Sequence, residues 1–368
     1  MFDTQTVEQF AQVLAKTLVT EQAKANRAEA AKFLGYQGTS NKQTIEKVSA
    51  NSLFEILDEP FNESVNIKVR KWSLPHVAVP SIKENYFFRK DLLVEVNALV
   101  LQPRKYGLFL TGKKGTGKSS IIEQYCARTG LPLYQETGSS TTEYLDLFGT
   151  TLPTVSGSIK FLAGKLFTAI KEGGIYLLDE IDMMSAGELV KLNELFTADK
   201  IYVPQIEEWV NVHKDFRFVA TGNTNGSGLS GSYVGANVLN EAFMDRFYVI
   251  DVPYMTKELE QKFMESVVSD IEQKYGLAKN KSYQNKRAGV LPLASQMVEV
   301  ARAIRTSAEQ QDLPVLSLRG LERWIFKYLT GKSILDSFKI AYANTLDEPT
   351  KEAVVEILTT HIPTVQAA

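Results

Sequence analysis

Eight consecutive residues, Gly112-Lys113-Lys114-Gly115-Thr116-Gly117-Lys118-Ser119, fit the pattern G-x-x-x-x-G-K-[ST]. Glycines at these places let successive backbone N–H groups curl around an anion, and a lysine and a hydroxyl follow at the point where the chain turns into a helix. That combination suits a polyphosphate. The apolar run YGLFLT precedes the motif and SIIEQYCAR follows it, so it reads as a strand, a loop and a helix whose positive dipole end faces the phosphates. Gly112, Lys113, Lys114, Gly115, Thr116, Gly117, Lys118, Ser119 and Ser120 are the expected nucleotide-binding residues. Lys118 is expected to reach the β- and γ-phosphates and Ser119 to ligate Mg²⁺.

Further along, GGIYLLDEID places Asp179 and Glu180 at the end of an apolar strand. Two adjacent carboxylates there need a reason, and a divalent cation with its water supplies one. Asp179 is expected to hold Mg²⁺ through its coordinated waters, and Glu180 to act as general base on the attacking water. Asn223, at the tip of FRFVATGN, is suited to orient that water, although Asn-Thr-Asn-Gly also reads as a plain turn. ATP and Mg²⁺ are the expected cofactors.

The elements that must position these residues are short. Between residues 76 and 255, the apolar runs YGLFLT, LPLYQE, GGIYLLDE, FRFVATGN and FYVIDVP alternate with helical stretches, the pattern of a parallel five-stranded sheet in an α/β core. LPLYQE falls between the phosphate loop and the Asp-Glu strand, which favours a sheet in which another strand separates those two. Residues 256–368 turn helical. Leu259, Phe263, Val267 and Ile271 form one stripe, Leu293, Met297, Val300 and Ile304 a second, and Leu321, Ile325 and Tyr328 a third, giving an α-helical lid. Residues 1–75 read as a helical N-terminal module and linker. Val7, Phe10, Leu14 and Leu18 recur at helical spacing, Thr6 and Gln9 resemble a capping box, and Pro75 and Pro80 break the pattern.

Composition excludes several classes. With 44% hydrophobic and 23% charged residues the chain is neither disordered nor membrane-embedded. No apolar run approaches the ~18 residues a membrane helix needs, and the early acids argue against a signal peptide, so a cytoplasmic location is expected. The net charge of −2 supplies no global field for nucleic acid. The single cysteine, Cys126, reads as a small apolar helix residue, and three scattered histidines (His76, His213, His361) offer no zinc set.

In this order the motifs resemble those of AAA+ ATPases over roughly residues 76–330. The resemblance makes Asn223 sensor 1. It makes Arg246, in LNEAFMDRF, an arginine finger reaching the γ-phosphate of a neighbouring subunit. Arg319, in SLRGLERWI behind the N-cap Ser317, becomes sensor 2, with Arg305 and Arg323 as weaker lid candidates. Within this superfamily the chain is similar to the MoxR-like group, and more closely to the ATPase subunit of the aerobic cobalt chelatase. The matching stretches are VPSIKENYFF, TGKKGTGKSSIIEQYCARTGLPL, TEYLDLFG, VATGNTNGSGLSGSYVG and LNEAFMDRFYV. SGSIKFLAGKLFTAIKEGGIYLLDE resembles that group's helix-2 insertion and KIYVPQIEEWVNVHKDF its pre-sensor hairpin, making Phe161 and Tyr202 candidate partner contacts. The resemblance implies a hexameric ring that hydrolyses ATP to remodel a protein partner bearing a von Willebrand A domain, in one version to insert a metal. A nucleic-acid-translocating motor is the alternative, disfavoured by few Lys and Arg in the two insertions. A non-hydrolysing nucleotide sensor is disfavoured because Glu180, Asn223, Arg246 and Arg319 are all in place.

Overall fold

The computed structural model of the chain describes residues 42–56, 59–84, 86–153, 159–228, 236–277, 281–311 and 314–365. It divides into two compact units, residues 1–44 with 72–74, and residues 45–71 with 75–368. In the first, the described residues Lys42 and Ser73 exchange two hydrogen bonds, Ser73 N–H to Lys42 O at 2.9 Å and Lys42 N–H to Ser73 Oγ at 3.1 Å. The helical reading at Val7 to Leu18 lies outside the described residues.

Eleven strands are described: β1 Gln43–Ser49, β2 Asn66–Trp72, β3 Gly107–Thr111, β4 Leu133–Thr137, β5 Gly149–Pro153, β6 Ile159–Ala163, β7 Gly174–Asp179, β8 Lys200–Val203, β9 Glu208–Asn211, β10 Phe216–Gly222 and β11 Phe247–Asp251. β1 and β2 form a two-stranded sheet where helix and linker were expected. The reason is visible in NIKVRKW. Ile67 and Val69 are buried while Asn66 and Lys68 are exposed, a period of two that places alternate side chains on opposite faces.

β3, β4, β7, β10 and β11 build the central sheet, all parallel, in the order β11-β3-β10-β7-β4. β3 and β10 are buried along their whole length, as expected of parallel strands covered on both faces. Alternation divides their side chains between two cores. Leu108, Leu110, Leu177 and Val219 pack with α1 Lys90–Leu101 and α2 Lys118–Thr129, whereas Phe109, Tyr176, Leu178 and Phe218 pack with α3 Lys165–Glu172. A strand does separate the phosphate-loop strand from the Asp-Glu strand. It is β10, late in the sequence, while β4 (LPLYQE) occupies the edge. Two antiparallel hairpins, β5–β6 and β8–β9, stand outside this sheet at the two stretches read as insertions.

Beyond β11 the chain is helical: α4 Lys257–Tyr275, α5 Lys281–Gln311, α6 Leu318–Leu329, α7 Ile334–Ala341 and α8 Glu348–His361. Their shared core includes Val267, Ile271, Met297, Ile304, Leu321, Trp324 and Leu358. Thr256, Ser317, Ser333 and Asp347 each accept a backbone N–H as N-cap of α4, α6, α7 and α8, an arrangement that contributes about 1 kcal/mol per helix. Among the described residues no helix is long and apolar enough to cross a membrane. Cys126 is fully buried within α2, and burial pushes its thiol pKa up, which keeps it in the unreactive protonated form.

Candidate functional site

The phosphate loop leaves β3 at Thr111 and closes on α2. Gly112 and Gly115 have φ of +140° and +82°, and each is crowded as well. A Cβ on Gly112 would meet the Val252 carbonyl oxygen at 2.5 Å, and one on Gly115 would meet Ser317 Cβ at 2.6 Å. The loop therefore touches the exit of β11 on one side and the N-cap of lid helix α6 on the other, and only glycine fits both contacts. Lys118 folds back along the loop. Its Nζ donates to Gly112 O at 2.6 Å, Lys113 O at 3.1 Å and Asn223 Oδ1 at 3.3 Å. Burial pushes the Lys118 pKa down to about 8, while Asp182, Asp179 and Glu180 pull it up and Arg319 lowers it further.

Asp179 closes β7 with both carboxylate oxygens engaged. Ser119 Oγ and Thr221 Oγ1 each donate to Oδ1 at 2.6 Å, and Gln135 Nε2 donates to Oδ2 at 2.5 Å. Thr221 also accepts from the Glu180 N–H at 3.3 Å. Glu180 sits at φ +55°, ψ +44°, a left-handed backbone that turns the chain sharply at the strand end. Two residues on, Asp182 is 1% exposed, and its Oδ2 accepts from Asn223 N–H at 2.9 Å, Thr224 N–H at 2.9 Å and Thr224 Oγ1 at 3.0 Å. One buried carboxylate thus holds the loop that carries Asn223.

Most of the sequence-predicted residues converge. Residues 114–120, Asp179, Glu180, Asn223 and Arg319 line one cavity of ≈ 240 Å³, with Gly112 and Lys113 forming the base of the loop behind it. Arg319 reaches it from the first turn of α6, where Ser317 Oγ accepts the Gly320 N–H at 3.3 Å. Arg246 is elsewhere. Its carbonyl accepts the Gly107 N–H at 2.8 Å, so it stands at the start of β3, whereas the phosphate loop leaves from the far end of that strand. Five residues of strand put it about 16 Å from its own loop. Its Nε has no hydrogen-bond partner among the described residues.

The two weaker lid arginines have other tasks. Arg305 is buried, paired with Glu260, donates to Leu316 O at 2.8 Å and lies over the Tyr254 ring at 4.2 Å. Arg323 donates to Ala341 O at 3.1 Å. Neither lines the cavity. Phe161 on β6 is half-buried, edge-on to Phe167 at 5.2 Å, and Tyr202 on β8 is 43% exposed beside the 67% exposed Trp209.

Gln135, Thr221 and Asp182 escaped the sequence reading. Thr221 had a signal, since it lies two residues before Asn223 on one strand. Asp182 had another, as a third carboxylate among Ile181, Met183 and Met184. Gln135 had none, because only the packing of β4 against β7, with Gln135 opposite Leu177, brings it to Asp179.

Hydroxyl and carboxylate oxygens 2.6 Å apart beside an anion cradle are hard donors of the kind Mg²⁺ takes, with phosphates and waters completing its shell. No cluster of three or more His, Cys, Asp or Glu suited to an all-protein metal site occurs among the described residues.

Comparison with known proteins agrees with this geometry. Residues 107–247 match the AAA domain of the dynein-related subfamily. Midasin from Giardia intestinalis is 32% identical over 157 residues and midasin from Dictyostelium discoideum 30% over 182, covering 42% and 48% of this chain. Each match spans only 3% of the midasin's own length. The aerobic cobaltochelatase subunit CobS from Sinorhizobium sp is 25% identical over 305 residues, 81% of this chain and 87% of that protein. Sheet order, phosphate loop and these matches agree that residues 107–247 form an AAA domain of the dynein-related subfamily, with a wider likeness of the chain to the cobaltochelatase subunit CobS.

Proposed function

We propose that the chain binds ATP with Mg²⁺ in the cavity beneath Arg319 and hydrolyses it as a ring-forming motor that remodels a protein partner. The observation that carries the reading is the Ser119–Asp179 contact at 2.6 Å, which joins the phosphate loop to the Asp-Glu strand through two metal-competent oxygens. When bound, Mg²⁺ would be held by Ser119 and, through water, Asp179, and would neutralise charge on the β- and γ-phosphates.

The residues then divide the work. Lys118 and Arg319 bring positive charge to the terminal phosphate from the loop and from the lid. Glu180 takes the proton as the water oxygen bonds to the γ-phosphorus and the bond to the β–γ bridging oxygen breaks, releasing ADP and phosphate. Asn223, held by Asp182, orients the water. Arg246 stands too far from its own cavity to serve it, which supports a role across the boundary with a neighbouring copy. That arrangement needs a ring, and we read it as a hexamer. The β5–β6 and β8–β9 hairpins are the surfaces we assign to a partner, with Tyr202 and Trp209 the exposed aromatic contacts. The likeness to a cobaltochelatase subunit supports a partner with a von Willebrand A domain and work coupled to metal insertion.

Mass photometry with and without ATP and Mg²⁺, alongside phosphate release with and without DNA, tests the reading. A ring with DNA-indifferent turnover is expected. A monomer with no turnover would overturn it, and strong stimulation by DNA would replace it with a nucleic-acid motor.

A further inference from the structure

We infer that Gln135 is a positioning residue for Asp179, setting the affinity of the nucleotide site for its divalent cation and linking that affinity to the β5–β6 hairpin. The inference rests on the reading of the cavity as an Mg²⁺-nucleotide site and adds a residue to it. Asp179 is clamped from both neighbouring strands of the sheet. β10 supplies Thr221 to Oδ1 and the edge strand β4 supplies Gln135 to Oδ2. Only the amide NH₂ of Gln135 can donate to a carboxylate, so this contact fixes the amide's orientation and, with it, the plane of the carboxylate. With Oδ2 held at 2.5 Å, Oδ1 faces the Ser119 hydroxyl, the oxygen beside the phosphate loop.

A neutral donor suits this place. A lysine would cancel the Asp179 charge that attracts the cation, and a second carboxylate would compete with Asp179 for a proton. Partners that orient a metal-binding group without touching the metal typically change affinity or activity by ~10–100-fold when removed. Gln135 is itself tied down. Lys165, the first residue of α3, donates from Nζ to the Gln135 carbonyl at 2.6 Å. The residue before it, Gly164, leaves the β5–β6 hairpin and donates its N–H to Phe148 O at 2.7 Å. A displacement of the hairpin base therefore pulls on the backbone of the residue that aims Asp179.

The test uses the full chain and a non-hydrolysable fluorescent ATP analogue, titrated in EDTA and then against Mg²⁺, so that it reads binding and not turnover. Gln135→Met, which keeps the side-chain volume, is expected to raise the half-saturating Mg²⁺ concentration about tenfold while leaving affinity in EDTA unchanged. Gln135→Asn keeps the amide but withdraws it, and is expected to shift the Mg²⁺ curve in the same direction should the methionine variant fold poorly. Lys165→Met is expected to give a smaller shift of the same sign. Folded variants at Gln135 with a wild-type Mg²⁺ curve overturn the positioning role, and a wild-type curve for Lys165→Met overturns the hairpin link. A wild-type chain that binds no nucleotide under either condition sinks the underlying site reading instead, so the failures are distinguishable.

Discussion

Lys118 Nζ lies 3.3 Å from Asn223 Oδ1, so the cation of the phosphate loop and the polar tip of β10 are hydrogen-bonded to each other across one strand boundary. Phosphate would replace this contact and the two loop carbonyls. Because burial lowers the Lys118 pKa to about 8, the free site loses its ammonium above that pH, and nucleotide must return the proton on binding. Affinity is therefore expected to weaken as pH rises through about 8. Calorimetry at pH 9 in two buffers of different ionisation enthalpy should show proton uptake that is absent at pH 6.5. Lys118→Ala is expected to weaken binding at least tenfold, since charge-assisted hydrogen bonds contribute about 1.5–3 kcal/mol each. Wild-type affinity in that variant would remove Lys118 from the phosphate site.

Glu180→Gln keeps the shape of the side chain and removes its basicity. Turnover is expected to fall by ~10²–10⁴ with nucleotide affinity retained, leaving ATP trapped on the protein. Filter-bound radiolabelled nucleotide recovered as ATP, not ADP, is the readout.

Arg246→Ala is expected to bind nucleotide normally and to lose about 10³-fold or more in turnover. Mixing it with Glu180→Gln is the sharper measurement. In a mixed ring, an Arg246→Ala copy still has its own Glu180 and can receive Arg246 from a Glu180→Gln neighbour, so phosphate release should recover on mixing two inactive proteins. No recovery between assembled variants would show that Arg246 does not act across the boundary.

Asp182→Ala strands two backbone N–H groups and the Thr224 hydroxyl in a buried place, a loss of about 1–3 kcal/mol for each buried group left unpaired. A clear drop in Tm is expected. Asp182→Asn can still accept those bonds through its amide oxygen, and is expected to cost less stability while lowering turnover more than nucleotide affinity. Equal losses in both would mark Asp182 as purely structural.

Arg305→Ala should destabilise the lid by about 1–3 kcal/mol, because the fully buried Glu260 would keep only its longer 3.5 Å contact with Arg302. Thermal unfolding measures this, and Glu260→Leu in the same chain is expected to restore much of the loss.

How much of this could be read from the residues depended on distance along the chain. The phosphate loop and Asp179-Glu180 were legible because each motif is contiguous and sits at the end of an apolar run. The five core strands were legible for the same reason. β1 and β2 were not, because their apolar residues are few and Thr44, Ile45 and Val48 on β1 also suit a loose helical pattern. The sheet order was only half legible. A separating strand was expected between β3 and β7, and its identity as β10 depends on pairing with β3 across more than a hundred residues. Gln135 shows the limit most clearly, since its partner lies 44 positions away and its type announces no chemistry. Arg305 illustrates the opposite error: an arginine on a lid helix looked available for phosphate, and a buried glutamate on α4 had already claimed it.

Glu180 carries one more consequence. Its left-handed backbone is unusual for a residue with a side chain, and among the described non-glycine residues only Glu207 shares it. Holding a residue there costs about 1–3 kcal/mol relative to a relaxed geometry, a cost glycine largely escapes. On the proposed reading of Glu180 as general base, the demands of hydrolysis and of a relaxed backbone therefore pull in opposite directions at this position. A glycine at 180 would relax that turn and, on the same reading, take away the base, so the backbone and the proposed chemistry cannot both be eased at this one residue.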